Sequence, residues 1–165
     1  MLLFAEKIIV IDLLSAGFED PGGRNSRIKV DGIDYSKTER GVNIVVLSET
    51  SGAVISTGFF QVHRSGVAQR MTDYINLIDN GNIVLISAED EIGAGMTTQA
   101  EKAIHALGAT TRLVLKNGYS DVRYRASFAL VAKKGEKKPA WFAEKAADRR
   151  KGPSRIQVEI TLPWY

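Results

Sequence analysis

Short apolar runs rich in β-branched residues recur along the chain, and turn-forming residues end each of them. Residues 7–14 read KIIVIDLL before Ser15, residues 42–48 read VNIVVLS, and residues 83–88 read IVLISA. Runs of this length, bounded by Gly, Asn, Asp or Ser, are typical of buried β-strands. None reaches the roughly 18–20 apolar residues that a membrane-spanning helix needs. The pattern therefore predicts a sheet-rich domain without a membrane span.

Alternating apolar residues and turn-forming residues predict further strands. Residues 155–162, RIQVEITL, have the clearest two-residue period in the chain, with every second residue apolar. Residues 27–35 predict a hairpin, because Asp31-Gly32 suits a type I′ turn. Residues 53–57 return from the strand at 42–48, and short β segments are expected at 112–116 and 123–132.

Helical spacing predicts two or three helices among these strands. From Val67 to Ile78 the apolar residues recur at helical intervals until Gly81. A second helix fits 97–107, with Thr97 as its N-cap. A third is expected over 139–150, because proline suits a first helical turn. Too few helices are present for a regular βαβ alternation, so we predict a mixed or mostly antiparallel sheet system with helices packed on it.

Composition sets the broad class of protein. The chain has 165 residues, of which 44% are hydrophobic and 25% charged, as in one ordinary globular domain. Cysteine is absent, which excludes disulfides, thiolate metal sites and a cysteine nucleophile. The net charge of +3 is too small to indicate a nucleic-acid partner. Basic residues gather between 133 and 155, where we expect a solvated face.

Motifs for catalysis are missing from the sequence. His63 and His105 are the only histidines, and neither has a partner at metal-ligand spacing. The glycine-containing stretches at 20–24 and 91–95 lack the spacing of phosphate-binding loops. We therefore expect no cofactor and no bound metal.

Two adjacent carboxylates, Asp90 and Glu91, follow the predicted strand at 83–88. In extended backbone they point to opposite sides, which makes them a poor acid–base pair. One of them could cap the next helix or pair with an arginine, and a cation could use one together with backbone carbonyls.

Aromatic residues with polar neighbours are candidate sugar platforms, because a sugar ring stacks one apolar face on them. Trp141 lies in the basic segment and is the main candidate of this kind. The others are Tyr119, Tyr124, Phe142, Trp164 and Tyr165.

An ordered series of short motifs spans Arg40 to Gly135. It runs RGVNIVVL at 40–47, TSGAV at 50–54, IDNGNIVLI at 78–86, DE at 90–91 and RASFALV at 125–131. In this order the motifs resemble the interleukin-like EMT inducer domain, also called the GG domain. Residues 27–35 are similar to its first hairpin.

The resemblance implies an α+β fold of two mostly antiparallel β-sheets packed with two or three helices, and no shared catalytic activity. It also implies carbohydrate binding, as in a glycosyltransferase stem domain, or secreted signalling. Asn43, Asp90, Glu91 and Arg125 match polar positions of the family and, with Trp141, form the expected ligand-binding set. The signalling members carry disulfides and a signal peptide. This chain has no cysteine and no evident signal peptide, so we favour recognition over signalling.

We treat residues 1–165 as one domain, with the family match at 27–135 and a basic extension at 136–165. The leading hypothesis is a non-enzymatic recognition module that binds carbohydrate or mediates adhesion, in a setting such as a phage tail, virion or cell-surface assembly. The alternative is a structural assembly protein whose basic segment and Trp164-Tyr165 contact other subunits or further copies of the chain. A third hypothesis is an enzyme acting on a sugar or phosphate ester, with Asp90 or Glu91 as base.

Overall fold

Nine β-strands and two α-helices occur in residues 6–122, 124–135 and 137–162, which a computed structural model describes. In chain order they are β1 (Ile8–Ala16), β2 (Asn25–Val30), β3 (Ile33–Asp34), β4 (Gly41–Leu47), β5 (Val54–Phe60), α1 (Val67–Asn76), β6 (Ile83–Glu89), α2 (Thr98–His105), β7 (Ser127–Lys133), β8 (Ala143–Ala147) and β9 (Ser154–Thr161). Trp164 and Tyr165 lie outside the described residues. Within those residues, neither helix is long and apolar enough to cross a membrane.

The strands form two antiparallel sheets. An outer sheet has the order β3-β2-β1-β9, and a central sheet has the order β5-β4-β6-β7-β8. This confirms two antiparallel sheets with helices, although the domain is mainly β. The predicted hairpin is β2–β3, and its turn residues Asp31 and Gly32 have φ angles of 49° and 84°, as a type I′ turn requires.

The domain has three layers, and this explains why some strands are continuous apolar runs and others alternate between apolar and polar residues. The outer sheet packs on one face of the central sheet, and the two helices pack on the other. Strands β4, β6 and β7 therefore bury residues on both faces and read as nearly continuous apolar runs. The outer strand β9 faces the core on one side only, so its residues alternate between buried and exposed.

Both predicted helices bury one stripe against the central sheet. In α1 the buried residues include Met71 and Ile75, and in α2 they include Ala100 and Ile104. Thr97 is the N-cap of α2, because its hydroxyl accepts a hydrogen bond from the amide of Ala100 at 3.2 Å.

Two predicted elements are wrong. Residues 139–150 do not form a helix, because Ala143–Ala147 adds an edge strand to β7. The sequence AEKAA favours a helix locally, but pairing along an open sheet edge overrides a weak propensity. Residues 112–116 do not form a regular strand, since side-chain carboxylates bind the amides of residues 112–114.

Candidate functional site

Three chain segments meet where the central strand β6 ends. The antiparallel register pairs Gly41 with Glu89, so Arg40 comes beside the carboxylates that end β6. A short parallel bridge between Gly17 and Asp90 brings the end of β1 to the same place. Arg125 arrives from the segment before β7. These strand ends assemble what we call the arginine–carboxylate cluster: Arg24, Arg40, Glu89, Asp90, Glu91 and Arg125.

The arginines of this cluster approach its carboxylates to different distances. Arg40 Nη2 lies 3.3 Å from Glu91 Oε2, within reach of a hydrogen bond. The Asp90 carboxylate lies 3.9 Å from Arg24 Nη1 and 3.9 Å from Arg40 Nε. Both distances are longer than a hydrogen bond. Within the described residues, the Asp90 carboxylate accepts no hydrogen bond, so its lone pairs are available to a ligand.

The carboxylates are largely withdrawn from solvent. The side chains of Glu89, Asp90 and Glu91 are 3%, 10% and 4% exposed. Desolvation raises the pKa of Glu89 and of Glu91, although Arg24 and Arg40 respectively oppose the shift. Three carboxylates at one strand end are thus held by two partly exposed arginines, an arrangement more common at binding sites than on ordinary surfaces.

The backbone at this end of the sheet is held in unusual conformations. Asp90 and Arg125 have φ angles of 71° and 63°, in the left-handed region. The backbone amides of Ala94 and Arg125 lie near the Glu91 carboxylate and lower its pKa, which opposes the effect of burial. A Cβ atom on Gly17 would lie 2.1 Å from the Arg125 carbonyl oxygen, so only glycine fits there. Left-handed residues persist where surrounding contacts over-determine them, and they concentrate at functional sites.

Arg125 is also the centre of an aromatic stack. Its guanidinium lies 4.1 Å from the centre of the Phe18 ring and 4.8 Å from that of Tyr124. Its Nη1 lies 3.4 Å from Glu19. A hydrogen bond from Arg149 to Glu19, together with the nearby Arg150, lowers the pKa of Glu19 to about 2. Arg125 therefore pairs with Glu19, and its guanidinium is held between a carboxylate and two rings.

An open groove of about 510 Å³ begins at Glu91. Its other lining residues are Gly93, Ala94, Leu113, Leu115, Gly118, Ser120, Val122 and Tyr124. Leu115 and Tyr124 are exposed, so the groove combines apolar surface with a buried carboxylate. The volume lies in the range of about 300–1,000 Å³ that is typical of small-ligand sites.

The structure brings three members of the expected ligand-binding set together and separates the other two. Asp90, Glu91 and Arg125 share the cluster. Asn43 is 2% exposed, and its amide bonds the backbone of Lys37 and the hydroxyl of Ser26, which ties β4 to the outer sheet. Trp141 packs beside Ile83 at the opposite end of β6. Seven residues of strand separate the two ends by roughly 20 Å.

Neither histidine sits in a constellation typical of catalysis. His105 Nε2 donates to the carbonyl oxygen of Thr111 at 2.7 Å. Desolvation, with Arg40 and Arg64 nearby, lowers the pKa of His63, which favours its neutral form. Across 6–122, 124–135 and 137–162, no group of three or more His, Asp or Glu residues could hold a metal ion.

No pattern in the sequence assigns Arg24 or Arg40 to the site. Arg40 stood inside the family motif, but only the β4–β6 register shows that it faces Asp90 and Glu91. The expectation that one of these carboxylates pairs with an arginine is confirmed by Arg40.

Two stacked antiparallel sheets with two helices on one face define the class, which is a mainly β domain. The chain belongs to the interleukin-like EMT inducer family, whose model matches residues 40–136. The match covers β4 to β7 and both helices, including Arg40 and Arg125.

Similar proteins come from mammals. The chain is 30% identical over 138 residues to the mouse cell migration-inducing and hyaluronan-binding protein, covering 82% of this chain and 9% of that protein. It is 24% identical over 157 residues to human protein FAM3B, covering 86% of this chain and 64% of the relative. Rat protein FAM3C is 24% identical over 130 residues, covering 75% and 54% respectively. The chain thus spans less than two thirds of the length of each relative.

Proposed function

We propose that this chain is a non-enzymatic recognition domain that binds carbohydrate at the arginine–carboxylate cluster and the adjoining groove. The proposal rests on the surroundings of the Asp90 carboxylate. Its carboxylate is largely buried, both neighbouring arginines stand at 3.9 Å, and it accepts no hydrogen bond from the described residues. A partly desolvated acceptor flanked by cationic donors suits the adjacent hydroxyl groups of a sugar.

The groove supplies the apolar half of such a site. Tyr124 is exposed and lines the groove, and its ring stacks near the Arg125 guanidinium. An aromatic ring held in place by a cation offers a flat surface to the apolar face of a sugar. Polar groups that fix orientation, next to such a surface, are the general pattern of small-ligand sites.

Glu91 acts as the organiser of the site. Its carboxylate accepts a hydrogen bond from Arg40 at 3.3 Å, and the backbone amides of Ala94 and Arg125 favour its charged form. The printed name of the mouse relative includes hyaluronan binding, which supports carbohydrate as the ligand class.

A glycan array followed by titration calorimetry on the best hit tests the proposal. Asp90→Asn is the central variant, because asparagine tolerates the left-handed backbone and keeps the size of the side chain. We expect it to weaken binding about tenfold, since a charge-assisted hydrogen bond is lost. Asp73→Asn removes the same charge from an exposed position on α1 and should leave binding unchanged.

Substitution at Tyr124 tests the stacking surface independently. Tyr124→Phe should retain binding, and Tyr124→Ala should weaken it about fivefold to tenfold, because only alanine removes the ring. A folded wild-type protein with no hit on the array, or an Asp90→Asn protein that binds as the wild type does, would contradict the proposed site.

A further inference from the structure

A second concave surface lies at the opposite end of β6 and β7. It encloses about 460 Å³ and is lined by four lysines together with a histidine and an asparagine, besides the backbone that ends α2. We call it the lysine pocket: Asn80, His105, Lys133, Lys134, Lys137 and Lys138. None of the described residues that line it carries a carboxylate.

Backbone pairing fixes the position of this pocket. The β6–β7 ladder continues past its last strand pair, since the Lys134 amide donates to the Asn82 carbonyl at 2.9 Å and the Gly81 amide donates to the Lys134 carbonyl at 2.7 Å. On the other wall, α2 ends at Gly108, where φ is 102°. A Cβ atom at Gly108 would lie 3.0 Å from Lys138 Cε and 3.1 Å from the Phe142 ring. Glycine therefore lets the lysine segment approach the helix end closely.

The lysines of the pocket are only partly neutralised. Lys133 Nζ lies 3.1 Å from Glu49. Lys134 Nζ donates to the Ile75 carbonyl at 2.7 Å, and desolvation lowers its pKa. Lys138 Nζ stands 4.1 Å above the Phe142 ring. Among the described residues, Lys134, Lys137 and Lys138 form no ion pair, and the local sequence KKGEKK carries four lysines against one glutamate.

The pocket leaves N–H donors that an oxyanion would use. Lys134 Nζ also lies 3.5 Å from the Asn76 carbonyl oxygen, so its two backbone contacts leave one of the three N–H groups of the ammonium. Lys137 and Lys138 are exposed, and neither forms an ion pair with the described residues. An oxyanion would accept charge-assisted hydrogen bonds from these groups, with no carboxylate among the described lining residues to repel it.

We infer that the lysine pocket binds sulfate or carboxylate groups carried by an acidic polysaccharide. Its concave shape and its lysines suit isolated oxyanions spaced along a sugar chain. A nucleic-acid strand would need an aromatic stacking surface, and none of the described residues that line the pocket is Phe, Tyr or Trp. The pocket lies roughly 20 Å from Asp90, the length of β6, and is independent of the site proposed above.

Binding of three charge-matched probes tests the inference: a heparin tetrasaccharide, a hyaluronan oligosaccharide and a single-stranded DNA oligonucleotide. Titration calorimetry at about 50 mM and 200 mM salt would compare the wild type with Lys137→Gln/Lys138→Gln, two exposed loop positions. We expect the double variant to bind the preferred acidic sugar about fivefold more weakly, with a reduced salt dependence. The heparin and hyaluronan arms distinguish sulfate from carboxylate recognition.

Lys145→Gln/Lys151→Gln is the matched control, because it removes two exposed charges from positions that line neither the pocket nor the groove. An equal loss in this control would show general charge attraction and overturn the inference, as would stronger binding of DNA than of either sugar. Absence of binding to both sugars at low salt would overturn it as well. In an Asp90→Asn background the Lys137→Gln/Lys138→Gln substitutions should still weaken binding of the acidic sugar about fivefold, because distant sites act additively, so failure of either site is recognisable on its own.

Discussion

At the scale of single residues, the buried Glu89 carboxylate shows that assembling the cluster costs folding free energy. Its side chain is nearly inaccessible, Arg24 is 3.8 Å away, and Oε2 has no hydrogen-bond partner among the described residues. Desolvation raises its pKa above the ordinary value of 4.5. An acid with a raised pKa in the folded state favours folding below pH 4.5, and that contribution is lost as the pH rises through the raised value.

Glu89→Gln should therefore stabilise the protein at neutral pH. The substitution removes a buried charge and keeps the shape of the side chain, so we expect the melting temperature at pH 7.5 to rise by about 2–4 °C. The difference between variant and wild type should shrink as the pH falls toward 4.5, because the wild-type carboxyl then becomes protonated. Thermal melts across this pH range measure both effects.

Glu159→Gln serves as the control, because Glu159 is exposed on β9. It should change the melting temperature little at any pH. A lower melting temperature for Glu89→Gln at pH 7.5 would instead mean that the carboxylate–Arg24 attraction exceeds the desolvation cost.

At the scale of elements, carboxylates organise the segment that follows α2. Five consecutive amides, from Thr110 to Val114, donate to side-chain carboxylates. Glu144 binds the first two, Asp121 binds the third, and Glu101 binds the last two at 2.7 and 2.8 Å. The apolar residues of this segment predicted a strand, but these amides are occupied by side chains and do not pair with another strand.

Glu101→Ala should loosen this segment and one wall of the groove. Two amides would lose a charged acceptor, which we expect to cost about 2 kcal/mol of unfolding free energy. Urea denaturation measures the loss, and hydrogen exchange at residues 113 and 114 should accelerate by more than the global change explains. Lys102→Ala, at the next and exposed position of α2, should have almost no effect on either measurement. Unchanged exchange in Glu101→Ala would show that other contacts hold the segment.

At the scale of the whole molecule, segments far apart in the chain close the outer sheet. Eight residue pairs join β1 to β9, and Ile9, Ile11, Ile156 and Ile160 from these strands enter the core between the sheets. The family match at 40–136 contains neither strand. The central sheet would therefore expose one apolar face without residues outside the matched region.

Ile160→Asp tests this dependence. A charge at a fully buried position between the sheets should cost more than about 4 kcal/mol, a large part of the stability of an ordinary domain. We expect loss of the cooperative urea transition seen by circular dichroism. Thr161→Asp, the next residue and exposed, should unfold as the wild type does. A cooperative transition in Ile160→Asp near the wild-type midpoint would mean that β9 contributes little to the fold.

Local patterns in the sequence were sufficient to predict most of the strands and helices. The continuous apolar runs, the alternation in β9, the Asp31-Gly32 turn and the Thr97 cap each depend on neighbouring residues, and each is observed. The motif order, too, was enough to predict the family, which the match at 40–136 confirms.

Only the tertiary structure decided where distant segments meet. Pairing at an open sheet edge made residues 143–147 a strand, although their propensity is helical. Register between β4 and β6 placed Arg40 beside Asp90, and the β6–β7 ladder gathered the lysines around the end of α2. Both candidate sites arise from contacts between residues far apart in the chain, which local periodicity does not encode.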